Sequence, residues 1–395
     1  MRIFGLSFVV AAVGLLVACG IDPAKIPSHE LYAPNGGEVD AGDHVAIAVF
    51  GATHASVAGL PGEQPSAPFI ADLSEQMALR DVQVITLTGN YVRRSATSEW
   101  RAFDEQWKDV LRGSTLSDVP GRRKVAPLPG GLERVGDSRM KGFGAAFENV
   151  GAPIGYNRVG SWYYFDVKTK GKVWRLVFLD TRKRQLGSRW QEQLFWLPKV
   201  VSERAYDSLL VFMPDPLVTM AQDGTMDRDD GPSDLLNVID ENSDIGKLVA
   251  VVSGGAATNE AYLPSGNFGE LYIVAGNSGV PADSLARWGA ADTAGLKDVS
   301  LEPMFDMALM KQFDAWSEPG KFTEKVIDQA KARGTFETYT GIYDGGAFPV
   351  QGWWVIDLEG KNVRFTFRMR DPGGKLRDVY AIRYEKMNGW ISQAK

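Results

Sequence analysis

The residues whose types could do chemistry stand in five short segments. These are Phe50-Gly51-Ala52-Thr53-His54, Thr88-Gly89-Asn90-Tyr91, Pro127-Leu128-Pro129-Gly130-Gly131-Leu132-Glu133, Phe212-Met213-Pro214-Asp215-Pro216 and Ser253-Gly254-Gly255-Ala256-Ala257-Thr258-Asn259-Glu260. Their polar candidates are His54, Asn90, Glu133 and Asp215. An imidazole at position 54 could be a metal ligand, a lone general base or a satisfied loop histidine, and the last is the common use of a single His. The supply of such groups is small: 395 residues hold three His (His29, His44 and His54) and one Cys, Cys19. A disulfide within the chain is therefore excluded, and a metal site rich in His or Cys would have almost nothing to draw on. No Gly-x-Ser-x-Gly elbow is present, and a Ser-His-Asp triad would have to use one of three mostly N-terminal histidines.

Other polar groups have simpler readings. The loop from Asp223 through Asp227, Asp229 and Asp230 to Asp234 could offer oxygens to calcium, but its glycine falls one position early for an EF-hand, and a solvated loop entering a helix at Pro232 is the plainer reading. Asp180, after an apolar run, reads as a loop cap before it reads as an acid or base. Arg182-Lys183-Arg184 with Arg189 reads as a solvated face or a local anion contact. With 43 Lys and Arg against 49 Asp and Glu, the chain has a formal charge of −6. Its basic residues are scattered and provide no face for nucleic-acid phosphates.

The elements that must position these groups follow from apolar periodicity. Short runs rich in Val, Ile and Leu occur at Val45 to Phe50, Val82 to Leu87, Trp174 to Leu179, Leu209 to Phe212, Leu248 to Val252 and Leu271 to Val274. They are apolar at successive positions, as strands buried on both faces are. Helical spacing appears at Phe69, Leu73 and Met77, at Trp100, Phe103, Trp107 and Val110, and at Trp190, Leu194, Leu197 and Val201. Strands alternating with helices predict an α/β fold, with ligands at the strand ends. Trp353 to Leu358 and Val363 to Met369 flank a short polar turn and predict a hairpin, set off by a helical insertion over 303–333.

In order and spacing the strand-end segments resemble the motifs of calcineurin-like metallophosphoesterases, the purple acid phosphatase branch in particular. Leu179-Asp180-Thr181, the stretch from Gln193 to Leu197, and Tyr272 to Pro281 are similar to the family's intervening and final segments. The resemblance implies a layered α-β-β-α sandwich and two metal ions that activate a hydroxide toward phosphorus. It also implies that most ligands have been lost. Carried over position by position, the former metal-ligand positions are Ala52, His54, Asn90, Gly131, Met213, Gly255 and Ala257; Leu132 and Pro214 also replace histidines, while Glu133 remains. One His in this set is too few for a metal site, so the expectation is no metal cofactor, with a single weakly bound divalent ion as the alternative. Gly51, Gly89, Gly130 and Gly254 persist, as a backbone cradle needing positive φ would require.

The N-terminus carries a different signal. A charged start precedes an apolar run from Ile3 to Val17 that ends in Leu16-Val17-Ala18-Cys19. The run is about 15 residues, short of the roughly 20 that a spanning helix needs. Residues 1–18 read as a lipoprotein signal peptide, Cys19 as the lipidated N-terminus, residues 19–43 as a tether and 44–395 as one phosphoesterase-like domain with C-terminal strands over 353–385. Gly20 follows the Cys where an inner-membrane retention signal resembling Asp would stand, so an outer-membrane lipoprotein is expected, its body on the periplasmic or surface face. The expected function is non-catalytic binding of an envelope protein or small-molecule ligand, with membrane contact through the lipid. The alternative is a phosphoesterase or other hydrolase with an atypical site built on His54, Asn90, Glu133 and Asp215.

Overall fold

The computed structural model describes residues 21–27, 37–40, 42–53, 82–112, 124–147, 161–217, 231–255, 259–263, 270–276, 278, 337–338, 352–370, 376–385 and 389–394. The strands are β1 (Gly37–Asp40), β2 (His44–Phe50), β3 (Val82–Leu87), β4 (Lys124–Pro127), β5 (Tyr163–Thr169), β6 (Lys172–Phe178), β7 (Ser208–Met213), β8 (Leu248–Ser253), β9 (Asn259–Leu263), β10 (Leu271–Ala275), β11 (Glu337–Thr338), β12 (Gly352–Glu359), β13 (Asn362–Arg370), β14 (Leu376–Glu385) and β15 (Gly389–Ala394). The helices are α1 (Thr97–Arg112), α2 (Lys141–Ala146), α3 (Lys183–Leu186), α4 (Ser188–Val201) and α5 (Gly231–Asn242). No described helix is long and apolar enough to cross a membrane.

The described strands form two sheets. One runs β1-β5-β6-β7-β8-β10-β9-β11 and the other β15-β14-β13-β12-β2-β3-β4. Parallel pairing joins β2 to β3, β3 to β4, β6 to β7, β7 to β8 and β8 to β10, so their carboxyl ends point the same way within each sheet. The C-terminal hairpin enters the second sheet through antiparallel pairing of β12 with β2 and joins the body directly.

Side-chain alternation sets the layers. Leu176, Phe178, Leu210 and Phe212 belong to the same core as β2, β3 and β12, whereas Val177, Leu209, Val211 and Val251 pack with Trp190, Leu197 and Val201 of α4 and Leu235 and Ile239 of α5. Trp100, Phe103, Trp107 and Val110 of α1 cover the other sheet. The result is helix, sheet, sheet, helix, in which buried strands need apolar residues on both faces. Phe178 anchors the middle, stacked on Tyr163, Phe165 and Phe212 at centroid separations of 4.6, 5.4 and 4.8 Å.

One boundary differs from expectation. The folded body begins before His44: Ile26 is buried in the main core, the Asp22 N–H donates to Thr97 Oγ1 at 2.7 Å, and β1 pairs with β5. Part of the segment read as a tether is thus folded structure. The helices expected near Phe69 and over 303–333 lie outside the described residues, as do Asp223, Asp227, Asp229 and Asp230 of the acidic loop. Asp234, at the loop's end, is paired with Lys183 at 2.7 Å.

Candidate functional site

The strand ends of both sheets meet. Thr88, after β3, places Oγ1 3.1 Å from both Phe50 O and Ala275 O, within donating distance of the ends of β2 and β10. The Gly51 N–H donates to Ser278 Oγ at 3.3 Å, and the Ser278 N–H to Gly51 O at 2.8 Å. A Cβ at Gly51 would lie 2.0 Å from Ala275 O, so only glycine fits this crossing of the sheets. Of the four glycines expected to need positive φ, Gly89 alone has it, at 100°. Gly51, Gly130 and Gly254 are required by close backbone approach instead, which hydrophobic pattern does not reveal. Two non-glycine residues at these strand ends do adopt the left-handed region: Ala52 at φ 47° and Asn90 at φ 60°.

Glu133, on a single 3₁₀ turn after β4, is fully buried. Its carboxylate accepts the backbone N–H groups of Asn90 (2.9 Å), Tyr91 (2.6 Å), Val92 (3.3 Å) and Gly130 (2.7 Å). Asn90 Oδ1 in turn accepts the Leu132 N–H at 3.2 Å. The pair ties the loop after β3 to the loop after β4. Burial pushes the Glu133 carboxyl above its usual range, against the pull of the four N–H donors. Burial, and then the charge of Glu133, also hold the Tyr91 phenol well above its ordinary value, and the Tyr91 hydroxyl donates to the carbonyls of Leu87 and Leu128.

A second cluster joins the ends of β6 and β7. Asp215 is fully buried, and its two oxygens accept from the Thr181 hydroxyl and the Arg182 guanidinium. Burial raises its carboxyl above the usual range, with Arg182 and Thr181 opposing the shift. Asp180, also buried, pairs with Arg134 and accepts the Arg182 N–H at 3.1 Å. Its backbone is held by Gln193 of α4, which accepts the Asp180 N–H and donates to the Asp180 carbonyl, each at 2.9 Å. A Cβ at Gly131 would lie 3.0 Å from Arg182 Cζ, so the guanidinium rests against the backbone where the resemblance places a metal ligand.

Among the described residues the donor set does not fit two metal ions. Ala52, Gly131 and Gly255 have no side-chain donor, and Met213 is buried among the apolar residues beneath α4 and α5. Asn90, Glu133 and Asp215 have their oxygens engaged as described, and no group of three or more His, Cys, Asp or Glu among the described residues could hold a metal ion. His54 and Ala257 lie outside the described residues. Of the four candidate polar groups, Asn90 and Glu133 meet, while Asp215 bonds to Thr181 and Arg182. Asp180 does cap its own loop as its sequence position suggests, but its ion pair has no counterpart in the sequence reading. Nor does Arg134, whose one signal is its place directly after Glu133.

No family model matches the chain, and no curated protein matches it. Solved structures do. A structure of PhoD aligns with 92% of this chain and 73% of its own at 10% identity, with a TM-score of 0.53. A purple acid phosphatase, PPD1, from yellow lupin (Lupinus luteus) seeds aligns at 14% identity over 90% of this chain, with a TM-score of 0.49; the chain spans 56% of that protein's length. GAP50, the anchor in the inner membrane complex of Plasmodium, aligns at 12% identity over 86% of this chain and 87% of its own, with a TM-score of 0.48. The chain has the calcineurin-like phosphoesterase fold that its strand ends resemble. At these identities the likeness extends to the fold alone.

Proposed function

We propose that this chain is a cell-envelope lipoprotein, anchored in the outer membrane through Cys19, whose phosphoesterase scaffold binds a partner protein or small-molecule ligand and does not perform dimetal hydrolysis. One observation carries the non-catalytic part: the described strand-end carboxylates Glu133, Asp180 and Asp215 are committed to internal partners. Glu133 caps four backbone N–H groups, Asp215 holds Thr181 and Arg182, and Asp180 holds Arg134. A metal centre draws its affinity from deprotonated ligands with lone pairs free to face the ion. Here the fixed positive charge against Gly131 belongs to a guanidinium. The anchor rests on the Leu16-Val17-Ala18-Cys19 sequence after a short apolar run.

Metal analysis of the full chain purified with manganese, iron or zinc present tests the reading. Well below one equivalent per chain, with no phosphatase activity above background, is the expected outcome. Two equivalents with phosphatase activity abolished by His54→Ala would establish an atypical phosphoesterase in its place.

A further inference from the structure

The first described residues do not trail away from the body. Ile21 packs against the main core, Ile26 is buried in it, and the intervening Pro23–Lys25 turn lies against α1 and α2. The Asp22 N–H is fixed on Thr97, in the first turn of α1. Only Gly20 separates Cys19 from this docked segment. Two residues span at most about 7 Å of extended chain, too little for a floating tether.

The surface beside this docking point is basic. Arg93 and Arg94 precede α1, and Arg101 lies one turn beyond Thr97, four residues along the same helix face. Asp137 joins the neighbouring loop to this region by accepting from Ser95 Oγ at 3.3 Å and from the Gly142 N–H at 2.8 Å. The Ser95 N–H also donates to Val135 O at 2.9 Å. That loop and the start of α2 contribute Arg139 and Lys141, both exposed, and Lys25 stands on the docked turn itself. Acidic groups here are Asp22, paired with Lys25; Glu99, paired with Arg94; and buried Asp137. Asp104 and Glu105, three and four residues beyond Arg101 on the same side of α1, bound the basic region there. Val135 is 49% exposed at the edge of this region. A basic face with an apolar tip therefore borders the lipid attachment point in a chain whose formal charge is −6.

We propose that this face, formed by Lys25, Arg93, Arg94, Arg101, Arg139 and Lys141 around the docked N-terminus, lies directly on an anionic lipid surface and fixes the orientation of the body. The inference rests on lipidation of Cys19. A lipid chain supplies one membrane signal and a basic surface the second, each Lys or Arg near anionic headgroups strengthening association about fivefold. The helix layer of α4 and α5 then faces away, on the far side of both sheets.

Acylated full-length protein is reconstituted into vesicles of phosphatidylethanolamine and phosphatidylglycerol carrying a nitroxide on the headgroups. Because Cys19 is the only native cysteine and its thiol is acylated, a fluorophore can be placed at Ser138→Cys, beside Val135, or at Ser202→Cys, after α4. Quenching at 138 and none at 202 is expected, with loss at 138 when Arg101→Glu and Arg139→Glu are combined. Equal exposure of both probes in protein whose N-terminal peptide carries the acyl mass would overturn the orientation and leave the lipoprotein reading intact. Absence of that mass would overturn both.

Discussion

Among the described residues, one buried arginine network lies within the eight-stranded sheet and another where the strand ends of both sheets meet. Arg175, in the middle of β6, has every side-chain nitrogen engaged. Nε and Nη2 donate to Asp166 at 2.8 Å each, and Nη1 donates to Val200 O at 2.7 Å and Glu203 at 2.6 Å. The guanidinium also lies 4.3 and 4.6 Å from the ring centroids of Tyr164 and Tyr206. Burial works against its charge, but Asp166 and Glu203 more than compensate and raise its pKa. Arg134 and Arg182, at the strand ends, differ: Nε of each is buried with no hydrogen-bond partner among the described residues. The first network is a completed clamp between β5, β6 and α4. The second neutralises carboxylates where the strand ends of the two sheets meet, and it is less fully satisfied.

Partner exposure gives this difference a measurable form. Asp166 and Glu203 have side chains 15% and 46% exposed, so water can take the place of Arg175. Asp215 has 0% exposure. Arg182→Met should therefore strand a buried carboxylate and cost about 3–5 kcal/mol of unfolding free energy. Arg175→Met should cost less, about 1–3 kcal/mol, because its partners rehydrate. Urea denaturation of both variants decides the matter, and equal losses would remove the distinction between clamp and cleft. Replacing Arg182 and Asp215 together by apolar residues should recover most of the loss from the single variant, since removing a whole buried pair is close to neutral.

Titration of Asp215 gives the strand-end cluster a pH dependence of its own. Burial raises the Asp215 carboxyl above its ordinary value, so between the unfolded and folded pKa values the native state binds more protons than the unfolded chain. Stability contributed through this group is then highest below the unfolded pKa and declines as pH rises through the folded one. Asp215→Asn removes that dependence. The stability of the native sequence relative to the variant should fall as pH increases from below the ordinary carboxylate range, as read by urea midpoints across pH. A relative stability that rises over that interval would mean that Arg182 and Thr181 outweigh burial.

The fold was legible because its strands are buried on both faces and show as unbroken runs, from Val45 to Phe50 through Leu271 to Val274. Strands near a sheet edge were not. β5 alternates buried residues with Tyr164, Asp166 and Lys168, and β1 has no apolar run at all. Ile21 and Ile26 anchor the N-terminal segment through two side chains among prolines, contacts with no period to read. At the site, sequence identified the strand ends, because they follow from local order. It did not identify Arg134 with Asp180, or Gln193 clamping the Asp180 backbone, because those pairings join separate strand ends and a helix across 46 and 13 residues.

Backbone conformation provides the finest contrast between the strand ends where the sheets meet and a plain turn. Gly360, in the β12–β13 hairpin, has φ 52°, and a Cβ added there would meet only Lys170 O, at 3.4 Å. A glycine stands where the chain must turn through the left-handed region, and Gly360→Ala should cost about 1 kcal/mol from backbone strain alone. Ala52 has φ 47° at the end of β2 and carries the Cβ that Gly360 lacks. It is held there by its N–H, which donates to Gly89 O at 3.1 Å. A non-glycine residue keeps such a conformation only where the surrounding structure holds it. Ala52→Gly should relieve about 1–2 kcal/mol of strain, and the larger entropy cost of ordering glycine offsets part of that relief, leaving a net gain of about 0.5 kcal/mol. A higher urea midpoint with an unchanged slope would place that strain in the native cleft; a lower midpoint would show that the Ala52 methyl contributes more by packing than its conformation costs.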